Sequence, residues 1–229
     1  MPTKWENTIS NVPNTAVSIT GRWLPNCILS RKKSSSAGLK NSEKSQSGGG
    51  RWGISPAGLL FRVRLAKSPL CLLVGGSALF GALLAEGLFS WKSLLIGMAV
   101  FVLAAGAASL NSLQEYQLDR QMIRTMRRPL PQGQLPLRQA FWQGVMLILA
   151  GLIILWVNSE GPWALLVALF AVVLYNGVYT PLKTVTVLAI VPGALCGALP
   201  PLIGWLGGGG ALFSFPAILL MALLALWQV

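Results

Sequence analysis

From Pro69 to Val229 the sequence runs as six apolar stretches separated by four short connections and one long one, residues 114–140, and nothing else in it constrains the fold so tightly. The stretches are Pro69–Ala85, Leu94–Leu113, Phe141–Val157, Trp163–Tyr179, Leu188–Trp205 and Ala211–Val229. Each approaches the ~20 residues that carry a helix across a bilayer. They are apolar on every face, so a helix built from them exposes only hydrocarbon while its backbone groups are satisfied within the segment. Composition agrees. The chain is 54% hydrophobic and only 10% charged, whereas a soluble domain carries about a quarter of its residues as charges. The expected fold class is therefore all-α, a polytopic transmembrane helix bundle over residues 54–229.

The charge is strongly basic, with Lys+Arg 18 against Asp+Glu 6 and a net charge of +12. Its placement excludes a nucleic-acid face. Eleven basic residues precede Ser68, and most of the rest lie between Arg120 and Arg138. The connections Asn158–Gly161 and Gly207–Gly210 carry none, and Lys92 is the one exception on that side. By the positive-inside bias, the N-terminus and the Arg120–Arg138 loop face the cytoplasm. The expected location is a bacterial inner (plasma) membrane, ahead of a mitochondrial inner membrane. Trp52, Trp91, Trp163 and Trp205 fall near span ends, as interfacial anchors do.

Residues 1–53 differ in kind. Arg31-Lys32-Lys33-Ser34-Ser35-Ser36 and Gly48-Gly49-Gly50 bring too little apolar surface to fold, so this region is expected to be a disordered basic tail. No apolar segment follows Met1, so it is not a secretory signal. An upstream misassigned start, an organelle transit peptide and a docking segment for anionic lipid are its other readings.

The chain has no histidine, which removes His-ligated zinc and Ser-His-Asp catalysis. Cys27, Cys71 and Cys196 have no metal or redox spacing, and the latter two read as small buried hydrophobes. Acid, base and metal chemistry falls to the carboxylates.

Two of the six carboxylates, Glu115 and Asp119, lie close together where the second stretch ends. Asn111, Glu115 and Asp119 are spaced i, i+4, i+8, so on a continuing helix they share one face. An amide oxygen and two carboxylates there suit a hard cation such as Mg²⁺, which is held by one or two carboxylates with waters and substrate phosphates. Arg124, Arg127 and Arg128 follow within about two helical turns, and guanidinium forks pair bidentately with phosphate oxygens. Read alone, the same charges also form a loop of structural salt bridges. Tyr179-Thr-Pro-Leu-Lys183 is a weaker second signal: Tyr179 and Lys183 at i, i+4 offer a hydroxyl and an ammonium to a phosphate. Pro181 between them works against that geometry, and an interfacial Tyr beside a snorkelling Lys accounts for it equally.

The order Asn111-x3-Glu115-x3-Asp119-x2-Met122-x-Arg124-Thr125-x2-Arg128-Pro129-Leu130-x2-Gly133 resembles the first signature of the UbiA-type intramembrane prenyltransferases. Glu115 stands where the family usually has Asp. Tyr179-x3-Lys183 matches its short tyrosine-lysine motif, although Thr184 replaces the arginine that commonly follows. Pro192-Gly193-Ala194 and Gly197-Ala198-Leu199-Pro200-Pro201-Leu202-Ile203-Gly204-Trp205 are similar to the branch that farnesylates protoheme IX. The resemblance covers about Arg64 to Gln228.

It implies a Mg²⁺-dependent transfer of a farnesyl group from farnesyl diphosphate to protoheme IX within the membrane. Asn111, Glu115 and Asp119 would be the metal ligands, and Arg124, Arg128, Tyr179 and Lys183 would bind the diphosphate. Asp119, Arg124 and Lys183 would carry catalysis. Family members have about nine spans and a second acidic motif, so the resemblance also implies that the C-terminal third lies beyond Val229. Prenyl transfer to a quinone precursor such as 4-hydroxybenzoate is the alternative, as is an inactive membrane fragment. A transporter fits poorly, because acids and arginines cluster in one loop rather than at mid-bilayer.

Overall fold

The structure, a computed structural model, describes residues 61–63, 65–126, 128 and 130–228. The basic tail expected over residues 1–53 lies outside the described residues, as do Arg127 and Pro129.

The described residues are helical. Five helices are long and apolar enough to cross a membrane: α1 (Ser68–Glu86), α2 (Trp91–Gln114), α3 (Leu137–Asn158), α4 (Pro162–Leu182) and α5 (Val187–Gly207). They make the chain an integral membrane bundle. Local chemistry fixes their ends. Gly87 terminates α1 at φ 74°, donating its N–H to Leu83 O; only glycine takes that left-handed conformation without a Cβ clash. Ser90 starts α2 through a reciprocal capping box with Ser93, which satisfies backbone donors that the first turn leaves free.

The sixth stretch departs from expectation. Ala211–Ser214 stay outside a helix, held by Ser214 Oγ and Trp205 Nε1 donating to Ala211 O at 2.9 and 3.0 Å. The helix α6 begins only at Phe215 and runs for 14 residues to Gln228. Pro216 stands in its first turn, where a missing N–H costs nothing.

Small residues bring the helices together. α2 is the central helix, packed on α1 and α3. A Cβ added at Gly106 would lie 2.8 Å from Gly144 O, and one at Gly151 would lie 2.8 Å from Ala99 O. α1 and α5 approach more closely still: a Cβ on Gly204 would overlap the Ala78 carbonyl, and one on Gly81 would overlap the Pro201 carbonyl. In lipid the hydrophobic effect does not drive helices together, so close backbone approach and dispersion contacts have that role. Ala78, Ile96, Leu155 and Ile203 are fully or almost fully buried at this centre.

Candidate functional site

The cytoplasm-expected ends of α2 and α4 build the site. α2 ends at Gln114, and a short helix, Tyr116–Asp119, follows one turn residue later. Despite that break, Glu115 N donates to Asn111 O at 3.0 Å and Asp119 N to Glu115 O at 2.8 Å. The i→i−4 ladder thus runs through the junction and keeps Asn111, Glu115 and Asp119 on one face, as their spacing predicts. Asn111 and Asp119 are buried.

On α4 the decisive local feature is a π-turn over Leu174–Tyr179. Thr180 N reaches back to Tyr175 O, so the Asn176 carbonyl loses its usual helical donor. Gln114 Nε2 supplies one instead, at 3.0 Å, tying α2 to α4. The helical turn then resumes through Pro181, with Lys183 N donating to Tyr179 O at 3.0 Å. Tyr179 and Lys183 consequently share a face. Lys183 Nζ lies 5.0 Å from the Tyr179 ring centroid, and the Tyr179 ring stacks on Tyr175 at 5.7 Å.

The two helix ends meet in an alternating chain of charges. Lys183 Nζ lies 2.5 Å from Glu115 Oε1 and donates to Asn111 Oδ1 at 3.1 Å. Asn111 Nδ2 donates to Glu115 Oε2 at 3.3 Å, and Thr180 Oγ1 donates to Asn111 Oδ1 at 3.0 Å. Arg128 Nη1 donates to Asp119 Oδ2 at 2.7 Å and stands 4.0 Å from Glu115 Oε2. Two cations are thereby threaded between two carboxylates, which offsets the cost of holding each charge away from water. Arg124 is not drawn in: it is exposed, with no hydrogen bond or salt bridge among the described residues.

Lys67 was not singled out by sequence, where it was one of the eleven basic residues that precede Ser68. The structure places it at the N-cap of α1 in the left-handed region, φ 51° and ψ 47°, an uncommon conformation for a residue with a Cβ. It lines the same cavity as Asn111 and Lys183. Burial pushes its ammonium below the usual lysine range, opposed in part by Glu115. Thr180 and Gln114 were also missed, because only the π-turn gives them partners across the bundle, and so was Tyr175, which stacks on Tyr179 and lines the cavity.

Below this cationic rim lies a cavity of about 660 Å³, within the size range of small-molecule sites. Lys67, Asn111, Tyr175, Tyr179 and Lys183 form its polar end, and apolar side chains of α1, α2, α4 and α5 form the rest.

The oxygen set of Asn111, Glu115 and Asp119 suits a hard divalent cation chemically. In this structure each of the three is answered by an internal donor or cation, and no group of three His, Cys, Asp or Glu gathers for a metal among the described residues. The donors fit Mg²⁺ as part of a metal-phosphate assembly rather than as a closed protein cage.

A profile of the UbiA prenyltransferase family matches residues 74–229. The chain belongs to the UbiA prenyltransferase family. It is 37% identical over 180 residues to a protoheme IX farnesyltransferase of Nitratidesulfovibrio vulgaris, covering 79% of this chain and 61% of that protein. It is 43% identical over 172 residues to a protoheme IX farnesyltransferase of Geobacter sulfurreducens, covering 75% and 61%. The chain therefore spans about three fifths of the length of these curated relatives. Among solved structures, a UbiA homologue from Archaeoglobus fulgidus bound to DMAPP and Mg²⁺ superposes with a TM-score of 0.62 at 18% identity, covering 73% of this chain and 61% of that one. A structure concerning digeranylgeranylglyceryl phosphate synthase gives 0.66 at 21%, covering 75% and 60%. At those identities the likeness establishes the fold of a UbiA family member.

Proposed function

We propose that this chain carries the diphosphate-binding part of a site that transfers a farnesyl group from farnesyl diphosphate to protoheme IX. The carrying observation is the Lys183–Glu115–Arg128–Asp119 chain of charges at the mouth of an apolar cavity. The names of the relatives in Nitratidesulfovibrio and Geobacter support the acceptor, as does the Pro200-Pro201-Leu-Ile-Gly204-Trp205 segment shared in pattern with that branch.

The chemistry divides by position. In the reaction the C1–O bond of the prenyl donor breaks and its electron pair leaves with the diphosphate. The allylic cation then forms a carbon–carbon bond with a vinyl group of protoheme. Water adds to the resulting cation and loses a proton, giving the hydroxyethylfarnesyl side chain. Lys183, Arg128 and Lys67 stabilise the negative charge that grows on the departing diphosphate. Arg124, exposed on the same loop, reaches the outer phosphate oxygens, and Tyr179 holds Lys183 over its ring. Glu115 and Asp119, with Asn111, would hold Mg²⁺, which supplies Lewis-acid neutralisation of the leaving group when bound. The apolar cavity walls keep water from the allylic cation until the carbon–carbon bond has formed.

The reading places residues 114–139 and the N-terminus on the cytoplasmic side of a bacterial inner membrane. Lys92, the basic residue on the opposite side, pairs with Glu160 at 2.6 Å, so it adds little net charge there. The test is expression of a complete version of the enzyme, residues 1–229 joined to the C-terminal part that the full-length relatives carry, in a strain lacking haem O synthase, followed by pigment extraction and chromatography. Haem O is expected with the native residue at 119 and absent with Asp119→Asn. Haem O formed equally by both contradicts the assignment.

A further inference from the structure

The cavity closes at one level on all four helices that line it. On α1 the lining runs from Lys67 to Val74, and the next inward residue, Ala78, is fully buried in the core. On α2 it runs from Asn111 to Val100, and Ile96 beyond it is fully buried. On α4 it stops at Ala171, above the fully buried Ala168, and on α5 it stops at Ile203. The cause lies in the α1–α5 contact. Directly beyond Ile203, Gly204 lies against the Ala78 carbonyl so tightly that no Cβ fits, and Gly81 does the same against Pro201. Gly207 brings α5 onto the Ile96 side chain, where a Cβ would lie 3.1 Å from Cδ1. Two helices in backbone contact leave no passage between them, and Ile96, Ala99 and Ala168 pack with Val100 and Ile203 in one buried core, so the cavity has a floor.

Resting on the prenyl-diphosphate reading of the rim, we propose that Val100 and Ile203 form this floor and set the length of isoprenoid tail the site accepts. At 1.5 Å per residue, the α2 wall from Asn111 down to Val100 is about 16 Å deep. A farnesyl tail of three isoprenoid units extends over a comparable length when its diphosphate is held at Lys183 and Lys67. A fourth unit meets Val100 and Ile203, both almost fully buried and backed by Ile96 and Ala78. These side chains do not touch the polar rim and take no part in the chemistry there.

The experiment measures binding of geranyl, farnesyl and geranylgeranyl diphosphate, with inorganic pyrophosphate as the tail-free probe, to the protein in nanodiscs with Mg²⁺. The native chain is expected to prefer farnesyl. Val100→Phe, which raises the floor, is expected to weaken farnesyl binding about tenfold while sparing geranyl, since each displaced methylene forfeits severalfold in affinity. Ile203→Ala, which lowers the floor, is expected to improve geranylgeranyl binding by a similar factor. Pyrophosphate affinity should be the same in all three proteins, which confirms that the rim has folded. If one variant loses pyrophosphate binding through misfolding, the other decides. An unchanged chain-length profile in a variant that still binds pyrophosphate overturns the floor and leaves the prenyl-diphosphate reading standing. Failure of the native protein to bind any of the four overturns that reading and the floor with it.

Discussion

Lys183 Nζ sits 2.5 Å from Glu115 Oε1 and joins the end of α4 to the end of α2. Both side chains are mostly buried, at 24% and 17% exposure, so neither charge is well served by water. Lys183→Met leaves Glu115 without its nearest cation, and only Arg128, 4.0 Å away, remains. Removing one partner of such a pair is expected to cost about 2–4 kcal/mol of stability. Thermal unfolding in detergent checks this, and Glu115→Gln in the Lys183→Met background should recover part of the loss.

Asp119 is buried and receives Arg128 at 2.7 Å. Asp119→Asn keeps the shape and removes the charge. If Asp119 is a ligand to the metal-phosphate assembly, turnover should fall by about a thousandfold or more, some 4 kcal/mol of transition-state stabilisation. The level of protein in the membrane should hardly change. A steady-state assay against Mg²⁺ concentration, alongside a membrane immunoblot, separates the two effects.

Lys67 gives a pH dependence with a definite sign. Burial lowers its affinity for the proton, so its charge is lost at a lower alkaline pH than that of an ordinary lysine. Pyrophosphate affinity should be level below the lowered value and decline as pH rises through it. Stability moves the other way: between the lowered and ordinary values the unfolded chain binds more protons, so stability rises with pH there. Titrations of the native protein and Lys67→Met read both, and the variant should lose the earliest part of the alkaline decline.

Orientation is tested at Ile123, which is 86% exposed on the loop after Asp119. Placed in a background of Cys27→Ser, Cys71→Ala and Cys196→Ala, Ile123→Cys should react with an impermeant maleimide only after the inner face is opened. Ready labelling of intact cells would reverse the assigned topology.

The sequence made the membrane bundle legible because span length and uniform apolarity are properties of consecutive residues. The Asn111–Glu115–Asp119 face was legible for a related reason, since i, i+4, i+8 survives wherever the helical ladder continues. What local pattern could not show was the π-turn. It shifts α4 enough to bring Thr180 and Lys183 onto Asn111, and it recruits Gln114 to a carbonyl that an ordinary helix would have satisfied. Pro181 read as an obstacle to the Tyr179–Lys183 geometry, yet the helix resumes through it. The sixth stretch misled in the opposite direction. Ala211–Ser214 are mostly apolar, but their backbone is taken up by turn contacts to Ala211 before α6 begins. Lys67 was hidden by its company, because the basic residues before Ser68 look alike until one of them lines the cavity.

The most direct measurement is the affinity of the protein for farnesyl diphosphate in Mg²⁺, compared among the native chain, Lys183→Met and Glu115→Gln. The Lys183–Glu115–Arg128–Asp119 chain is held here to be the diphosphate site. Both variants should therefore bind at least about tenfold more weakly, the loss of one charge-assisted contact, and adding EDTA should weaken the native chain further. Saturable binding of equal strength in all three, insensitive to EDTA, would place the diphosphate elsewhere and contradict the assignment.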